Sequence, residues 1–171
     1  MKAKRYLVSI LLIIVLNICA CGKMGNVSLM NGGDEKIAEA TLEEFIEAVE
    51  ADDSEAIKGM FAEDALAQID DIDSEIDAFI QFYHGTAQNW DNTSISTQVR
   101  SSGEEGYYQR ISCKYKIETT EERYQIRFTK NVSAPTQEQE GIYKVGIITQ
   151  ECFEEKHEEF GSDVPGLYIV E

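Results

Sequence analysis

The sequence is poor in basic residues, proline and histidine. Of its 171 residues, 15 are Lys or Arg and 32 are Asp or Glu, so the formal net charge is -17; there are two Pro and two His. Nucleic-acid binding requires clustered Lys and Arg for phosphate contacts, and this charge balance argues against it. With 43% hydrophobic residues the chain can form one packed domain, which excludes disordered and collagen-like classes.

The sequence also lacks an apolar run long enough to cross a membrane. From Tyr6 to Leu16 every residue except Ser9 is apolar or aromatic, whereas a spanning helix needs about 20 such residues. Three basic residues precede this run: Lys2, Lys4 and Arg5. A basic start followed by a short apolar segment is typical of a secretory signal peptide, which is removed from the mature protein. An uncleaved anchor helix is the alternative.

The end of this segment resembles a bacterial lipobox, in which an aliphatic residue and two small residues precede a lipid-modified Cys. Here the four positions are Ile18, Cys19, Ala20 and Cys21. The resemblance implies cleavage between Ala20 and Cys21 and a diacylglyceryl thioether on Cys21. It predicts a signal peptide over residues 1–20, a lipidated Cys and flexible tether over 21–33, and a lipid anchor on the extracytoplasmic face of the cell membrane. An ordinary signal peptide with a coincidental Cys is the alternative.

Three amphipathic helices are predicted after the tether. From Glu35 to Glu50, apolar residues recur at the i, i+3, i+4, i+7 spacing of one helix face. Asp52 followed by Glu55 resembles a capping box, which predicts a short second helix. A third helix with the same apolar spacing is expected to start near Asp73 or Ser74. Each of these helices has one apolar face that must pack on another element.

From about Trp90 the apolar pattern changes to the period of two that is typical of β-strands. Four alternating segments follow: Ile95–Val99, Ile111–Ile117, Tyr124–Phe128 and Tyr143–Ile147. The last segment has Tyr143, Val145 and Ile147 on one face, and Ile142 and Ile148 on the other. Short connections favour antiparallel neighbours, and the apolar end 165–170 could add an edge strand. The sequence thus predicts one α+β domain over residues 34–171, with three N-terminal helices packed on a four-stranded, or five-stranded, antiparallel sheet.

This order of elements resembles the nuclear transport factor 2-like, or cystatin-like, superfamily. The run from Phe45 to Asp52, continued to Phe61, is similar to the opening of many such domains. Together with the lipobox and the ending Pro165-Gly166-Leu167-Tyr168-Ile169, the chain resembles an uncharacterised family of Gram-positive lipoproteins, domain of unknown function 5104, over residues 35–171. The resemblance implies a curved, cone-shaped sheet. The superfamily includes enzymes, transport factors and interaction modules, so it does not define a function.

Charge is distributed unevenly along the chain. The region 34–77 has 17 acidic and two basic residues, whereas the region 100–144 has seven acidic and eight basic residues. The polar face of the predicted sheet is therefore comparatively cationic: Lys114, Lys116, Arg123, Arg127 and Lys144. We interpret this face as a solvated surface whose cations balance the acidic helices and discourage pairing at the sheet edges. A docking surface for an anionic partner, or for a second copy of the chain in a homodimer, is the alternative.

The sequence contains no motif for a metal, a cofactor or a catalytic nucleophile. The acidic run 70–77 lacks the Gly and the closing carboxylate of a calcium-binding loop, and its residues are expected to cap the third helix. His157 lies in a charged run and is expected to be solvated. Cys113 is expected to be a buried thiol, with a disulfide to Cys152 as the alternative. We therefore predict no catalytic residue, no metal site and no cofactor.

The leading hypothesis is a non-enzymatic, lipid-anchored module that binds an unidentified protein or small molecule. The alternative is a small-molecule-binding protein, or an isomerase- or dehydratase-type enzyme, with a pocket in the cone between the third helix and the sheet. Six residues are candidates to line such a pocket: Tyr83, His84, Trp90, Tyr115, Phe128 and Tyr143. Ordinary core packing is the competing explanation for the aromatic residues.

Overall fold

A computed structural model describes residues 32–102, 106–156 and 164–170. The helices before the sheet are α1 (Gly33–Glu50), α2 (Ser54–Gly59), α3 (Glu63–Leu66) and α4 (Ile72–Phe82). The strands are β1 (Ala87–Ser102), β2 (Gly106–Thr119), β3 (Arg123–Ser133), β4 (Gly141–Thr149) and β5 (Gly166–Val170). A 3-10 helix (Gln137–Gln139) precedes β4, and helix α5 (Gln150–Lys156) follows it. The predicted signal peptide, the lipobox with Cys21, and His157 lie outside the described residues.

Two helices begin at aspartates whose side chains cap the backbone. The Asp53 carboxylate accepts a hydrogen bond from the Ala56 N–H at 3.0 Å, and the Asp71 carboxylate accepts one from the Ser74 N–H at 3.1 Å. The predicted cap at Asp52 is therefore one residue too early; Asp52 instead has a φ of 54° and turns the chain after α1. Among the residues described from 32 onward, four helices rather than three precede the sheet, because α3 is only four residues long and gives no periodic pattern.

Carboxylates fix both ends of α1 to the sheet. At the start of α1, Asp34 accepts hydrogen bonds from the Thr97 hydroxyl and from the Gln109 side-chain amide, each at 2.7 Å. At the end of α1, Glu50 accepts the Ala87 N–H at 2.6 Å. Hydrogen bonds to ionised groups are stronger than those between neutral groups. The helix is therefore held along β1 and β2, and the space between helix and sheet is closed at both ends.

The sheet has the strand order β1-β2-β3-β4-β5. The first four strands form an antiparallel meander, as predicted, and the predicted edge strand is present as β5. However, β5 runs parallel to β4, with Val145 opposite Leu167. The expectation of an entirely antiparallel sheet is wrong here, because α5 begins directly after β4 and the connection through it allows β5 to re-enter in the same direction. The α+β class is confirmed.

Two β-bulges interrupt the ladder at one end of the sheet. Val132 is an extra residue in β3, opposite the Gln109–Arg110 step, and Tyr143 is an extra residue in β4, opposite Thr129–Lys130. A bulge shifts the alternation of side chains along its strand. Ile142 consequently joins Val145 in the core, while Tyr143 turns to the opposite face. The predicted placement of Tyr143 and Val145 on one face is therefore wrong.

Gly141 allows β4 to approach the segment between α2 and α3. The Ile142 N–H donates to the Met60 carbonyl at 2.8 Å, and the Ala62 N–H donates to the Ile142 carbonyl at 2.9 Å. Gly141 has a φ of +137°, and a Cβ atom at this position would lie 2.6 Å from the Ala62 nitrogen. Only glycine satisfies both requirements. This contact places α3 beside the 3-10 helix.

The two faces of the sheet have different environments. The inner face packs against α1–α4, and its core residues include Ile111, Tyr115, Ile126, Phe128 and Ile147. On the helix side, the Phe45 and Phe79 rings meet edge to face at a centroid distance of 5.3 Å. The opposite face, here called the open face, is covered by α5 at one end, where the Gln125 side chain donates to Gln150 at 3.1 Å. The rest of the open face carries polar and charged side chains.

Candidate functional site

Three of the six predicted pocket residues are part of the hydrophobic core. Tyr83, Tyr115 and Phe128 are each at most 7% exposed. The Tyr115 and Phe128 rings stack at 6.1 Å with an interplanar angle of 3°, and Tyr83 stacks on Tyr124 at 5.3 Å with an angle of 22°. Burial raises the pKa of Tyr115 to about 12. These rings fill the space between helix and sheet, as expected for ordinary core packing.

The other three residues lie in separate places. The imidazole of His84 is exposed, and its backbone N–H donates to the Tyr124 hydroxyl at 2.9 Å. Trp90 is half-buried, pairs with the core residue Ile117 and packs against the edge of the hydrophobic core; it also borders a groove near α5. Tyr143 lies on the open face at the other end of the sheet, against Arg110. The structure therefore does not bring the six predicted residues together around one cavity.

The open face carries the cations that the sequence predicts there. Lys114, Lys116, Arg123, Arg127 and Lys144 all alternate with buried inner-face residues along their strands. In the centre of this face, Lys114 of β2 lies directly opposite Arg127 of β3. Like charges directly opposite each other destabilise a sheet. Neither side chain forms an ion pair with a carboxylate among the described residues.

A cleft lies at the end of the open face where the two bulges occur. Its volume is about 290 Å³. We call it the arginine cleft; its lining residues are Gln98, Arg100, Gly106, Tyr108, Arg110, Pro135 and Gln139. Arg100 is exposed and Arg110 is half-buried. Within the described ranges neither arginine forms an ion pair, although the chain has about twice as many acidic as basic residues.

Aromatic rings and one hydrogen bond fix the guanidinium of Arg110. It lies 4.7 Å from the centroid of the Tyr143 ring and 5.3 Å from that of Tyr108. Its Nε donates to the Asn131 side-chain oxygen at 2.8 Å. The guanidinium also hydrogen-bonds the Tyr108 hydroxyl, which opposes the rise of the Tyr108 pKa. The side chain is thus oriented by its neighbours, and a guanidinium has five N–H donors, more than these two partners use.

Asn131 organises the floor of this cluster. It is 3% exposed, and its side-chain oxygen also accepts the Tyr108 hydroxyl at 2.7 Å. Its side-chain nitrogen donates to the Gln139 carbonyl at 2.8 Å, which links β3 to the 3-10 helix. Burial raises the pKa of Tyr108, and the positive charges of Arg110 and Arg100 partly offset this effect. Both arginines therefore act electrostatically on the same hydroxyl group.

A second groove of about 260 Å³ lies at the other end of the open face, beside α5. Its charged lining residues are Asp91, Lys116, Glu118, Arg123 and Glu154. Cross-strand pairing puts Glu118 opposite Arg123 and Asp91 opposite Lys116, and Glu154 adds a third carboxylate against the two cations. This groove therefore has no excess positive charge, whereas the arginine cleft has two arginines and no carboxylate among its described lining residues.

Residues 44–150 match the family described as a domain of unknown function (DUF5104). The chain belongs to the DUF5104 family. No curated protein matches the sequence. The matched part of the DUF5104 domain runs from the second half of α1 to the first residue of α5, a shorter range than the predicted 35–171. All residues of the arginine cleft lie within it.

The described residues of this DUF5104 protein hold neither a cluster of metal-ligating side chains nor a membrane-spanning helix. They contain no group of three or more His, Cys, Asp and Glu side chains arranged to hold a metal ion. None of the helices in the described ranges has the length and apolar character to cross a membrane. Cys113 and Cys152 are free thiols, and burial raises the pKa of Cys113 to about 12, so the buried-thiol prediction for Cys113 is confirmed.

Sequence reasoning missed the arginine cleft of the DUF5104 domain. The start of β2, Gly106–Arg110, contains no aliphatic residue, so alternation does not identify it as a strand. The cluster around Arg110 depends on the two bulges, which a sequence pattern does not reveal. The sequence does contain one signal. Asn is unfavourable within a strand unless its side chain is hydrogen-bonded, so Asn131 in β3 indicates a polar cluster at that point.

Proposed function

We propose that this protein is a lipid-anchored, extracytoplasmic module that binds an anionic partner on the open face of its sheet. The single observation that carries the proposal is the direct pairing of Lys114 and Arg127 at the centre of that face, without a carboxylate partner among the described residues. Such a pair lowers the stability of the free domain. An anionic group bound between the two side chains would relieve the repulsion.

Charge separation across the domain supports the same proposal. The region 34–77, which contains the helices, has 17 acidic and two basic residues, so the cationic face is the favourable approach for an anion. A second copy of the chain, with its acidic helices against this face, is the homodimeric form of the same interaction. No residue is assigned a catalytic role, and no cofactor is part of the proposal.

The finer fold and location of the protein belong to this proposal as well. Helices followed by a four-stranded antiparallel meander are consistent with the nuclear transport factor 2-like, or cystatin-like, superfamily, whereas the parallel β5 is an addition to that meander. The lipobox residues Ile18 to Cys21 and the preceding apolar run support membrane attachment through Cys21. Two or more acyl chains are needed for stable anchoring.

The anchor is tested by the substitution Cys21→Ala in the full chain. We expect the variant to keep residues 1–20 and to lose labelling by a fatty-acid probe, because the thiol that would be acylated is absent. The variant should therefore be missing from the pool of lipid-modified protein. Cys19→Ala is the matched control and should label like the wild type. Unchanged labelling of Cys21→Ala would refute the anchor.

The binding face is tested by site-specific photo-crosslinking in intact cells. A photoreactive side chain replaces Ser96 or Lys116, both exposed on the open face, or Glu43 or Glu47, both exposed on α1. We expect a discrete adduct from the two open-face positions. With a different molecule as partner, the two helix positions should give no adduct. With a second copy as partner, whose acidic helices lie against the open face, both sets should give an adduct of twice the chain's mass. No adduct from the open-face positions, or the same adduct with a different molecule from both sets, would contradict the proposal.

A further inference from the structure

We propose that the arginine cleft is a binding site for a carboxylate or phosphate group of a small ligand. This inference deepens the proposed function and rests on it. Two arginines, Arg100 and Arg110, line a cleft whose other polar residues are neutral: Gln98, Tyr108 and Gln139. A planar guanidinium fork matches the oxygens of carboxylate and phosphate groups. The volume of about 290 Å³ suits a small molecule.

The site is organised before a ligand binds. Arg110 is held between the Tyr143 and Tyr108 rings. Its Nε donates a hydrogen bond to the side chain of Asn131, which is only 3% exposed. The ligand therefore does not have to immobilise this side chain, which reduces the entropic cost of binding. Arg100 is exposed and lies across the cleft from β2, where it can close on the same anion.

The surroundings favour an anion over a cation. One carboxylate, Asp64, raises the pKa of Tyr108 and so opposes the two arginines electrostatically, but it is not among the lining residues. Glu140, which follows the 3-10 helix, accepts the Ala134 N–H at 3.3 Å. Among the described residues, no acidic side chain lines the cleft and none forms an ion pair with either arginine.

The site is local, which allows a clean control. Arg127 lies on the same face but pairs with Lys114. Lys114 is four residues from Arg110 along β2, so the Lys114–Arg127 row lies about 13 Å from Arg110 at the rise of a β-strand. A small oxyanion cannot contact both rows. The Lys114–Arg127 row is itself part of the proposed binding face, so the control charge is taken from α1: Lys36→Met removes one exposed positive charge and leaves both the row and the arginine cleft intact.

The test is calorimetric titration of the full, lipidated chain in nanodiscs with inorganic phosphate and, separately, with succinate, at constant ionic strength. We expect saturable binding of at least one probe, weakened about tenfold or more by Arg110→Met and by Arg100→Met and less than about twofold by Lys36→Met. The probe that binds identifies phosphate or carboxylate as the recognised group. Arg110→Lys keeps the charge without the fork and should fall between wild type and Arg110→Met.

Two results would overturn the inference: no saturable binding of either probe, or equal weakening by Lys36→Met, which would indicate general charge attraction. If Arg110→Met fails to fold, the exposed Arg100→Met still provides the test. Crosslinking from Ser96 and Lys116 is independent of these titrations, so an open-face partner without probe binding would refute the cleft site and leave the proposed function standing.

Discussion

The inner and open faces of the sheet are built from alternate residues of the same strands, yet they differ in almost every physical property. On the inner face, Ile111, Tyr115, Ile126 and Phe128 are nearly inaccessible and pack against the helices. On the open face, the intervening residues are mostly charged or polar, and Lys114 and Arg127 repel each other. The comparison indicates that packing on the inner face provides most of the folding stability. The charges on the open face do not stabilise the fold, so stability does not explain why they are there. The following predictions test that division.

The largest effect is expected from the core of the inner side. Phe79→Ala removes a fully buried ring that meets Phe45 edge to face, and should lower the free energy of unfolding by about 3–5 kcal/mol. Arg127→Met on the open face should change it by no more than about 0.5 kcal/mol, or raise it slightly because the repulsion with Lys114 is lost. Denaturant unfolding of both variants measures the contrast. Comparable losses from the two substitutions would break the division between the faces.

Two buried tyrosines sharpen the comparison within the inner face. The Tyr124 hydroxyl accepts the His84 N–H at 2.9 Å and donates to the Phe82 carbonyl at 3.1 Å, so Tyr124→Phe should cost about 1–2 kcal/mol. The Tyr115 hydroxyl is buried and has no hydrogen-bond partner among the described residues. Tyr115→Phe should therefore be neutral or stabilising by about 1 kcal/mol. Thermal and denaturant unfolding distinguish the two, and a larger loss for Tyr115→Phe would contradict the assigned contacts.

A smaller, pH-dependent effect is expected from Lys130, a cation on the inner face. Its Nζ donates to the Thr41 hydroxyl at 2.9 Å, and burial lowers its pKa, against the opposing effect of Glu44. Between the lowered pKa and the ordinary value of about 10.4, the unfolded chain binds more protons, so the folded state gains stability as pH rises. Lys130→Met should be more stable than the wild type by about 1 kcal/mol at pH 7, and this advantage should shrink toward pH 10.

The matched control for Lys130 is Lys116→Met, which removes an exposed lysine from the open face. Its stability should stay within about 0.5 kcal/mol of the wild type at each pH, because substitutions of exposed side chains have small effects. Unfolding curves at pH 7, 8.5 and 10 measure both differences. A constant difference for Lys130→Met as well would show that its burial does not penalise the charge.

Local patterns were sufficient for much of the fold. Apolar spacing identifies α1 and α4, and alternation identifies the inner-face residues of β2 and β3, because both features follow from the period of a single element. The cationic open face was also predictable, since the residues between the apolar ones must point the other way. The lipobox likewise depends on a short contiguous segment, and Cys21 remains a prediction.

Contacts between distant segments determined the rest. Strand pairing joins residues that are far apart along the chain. Three features depend on it: the bulge at Tyr143, the parallel direction of β5, and the cluster of Arg110, Asn131 and Tyr108. The six predicted pocket residues all have aromatic rings, yet they do not surround one cavity. An aromatic ring can fill a core as well as line a cavity, so the residue type does not distinguish the two. Composition and periodicity thus specify which side of an element is apolar, whereas packing between elements selects which polar residues meet.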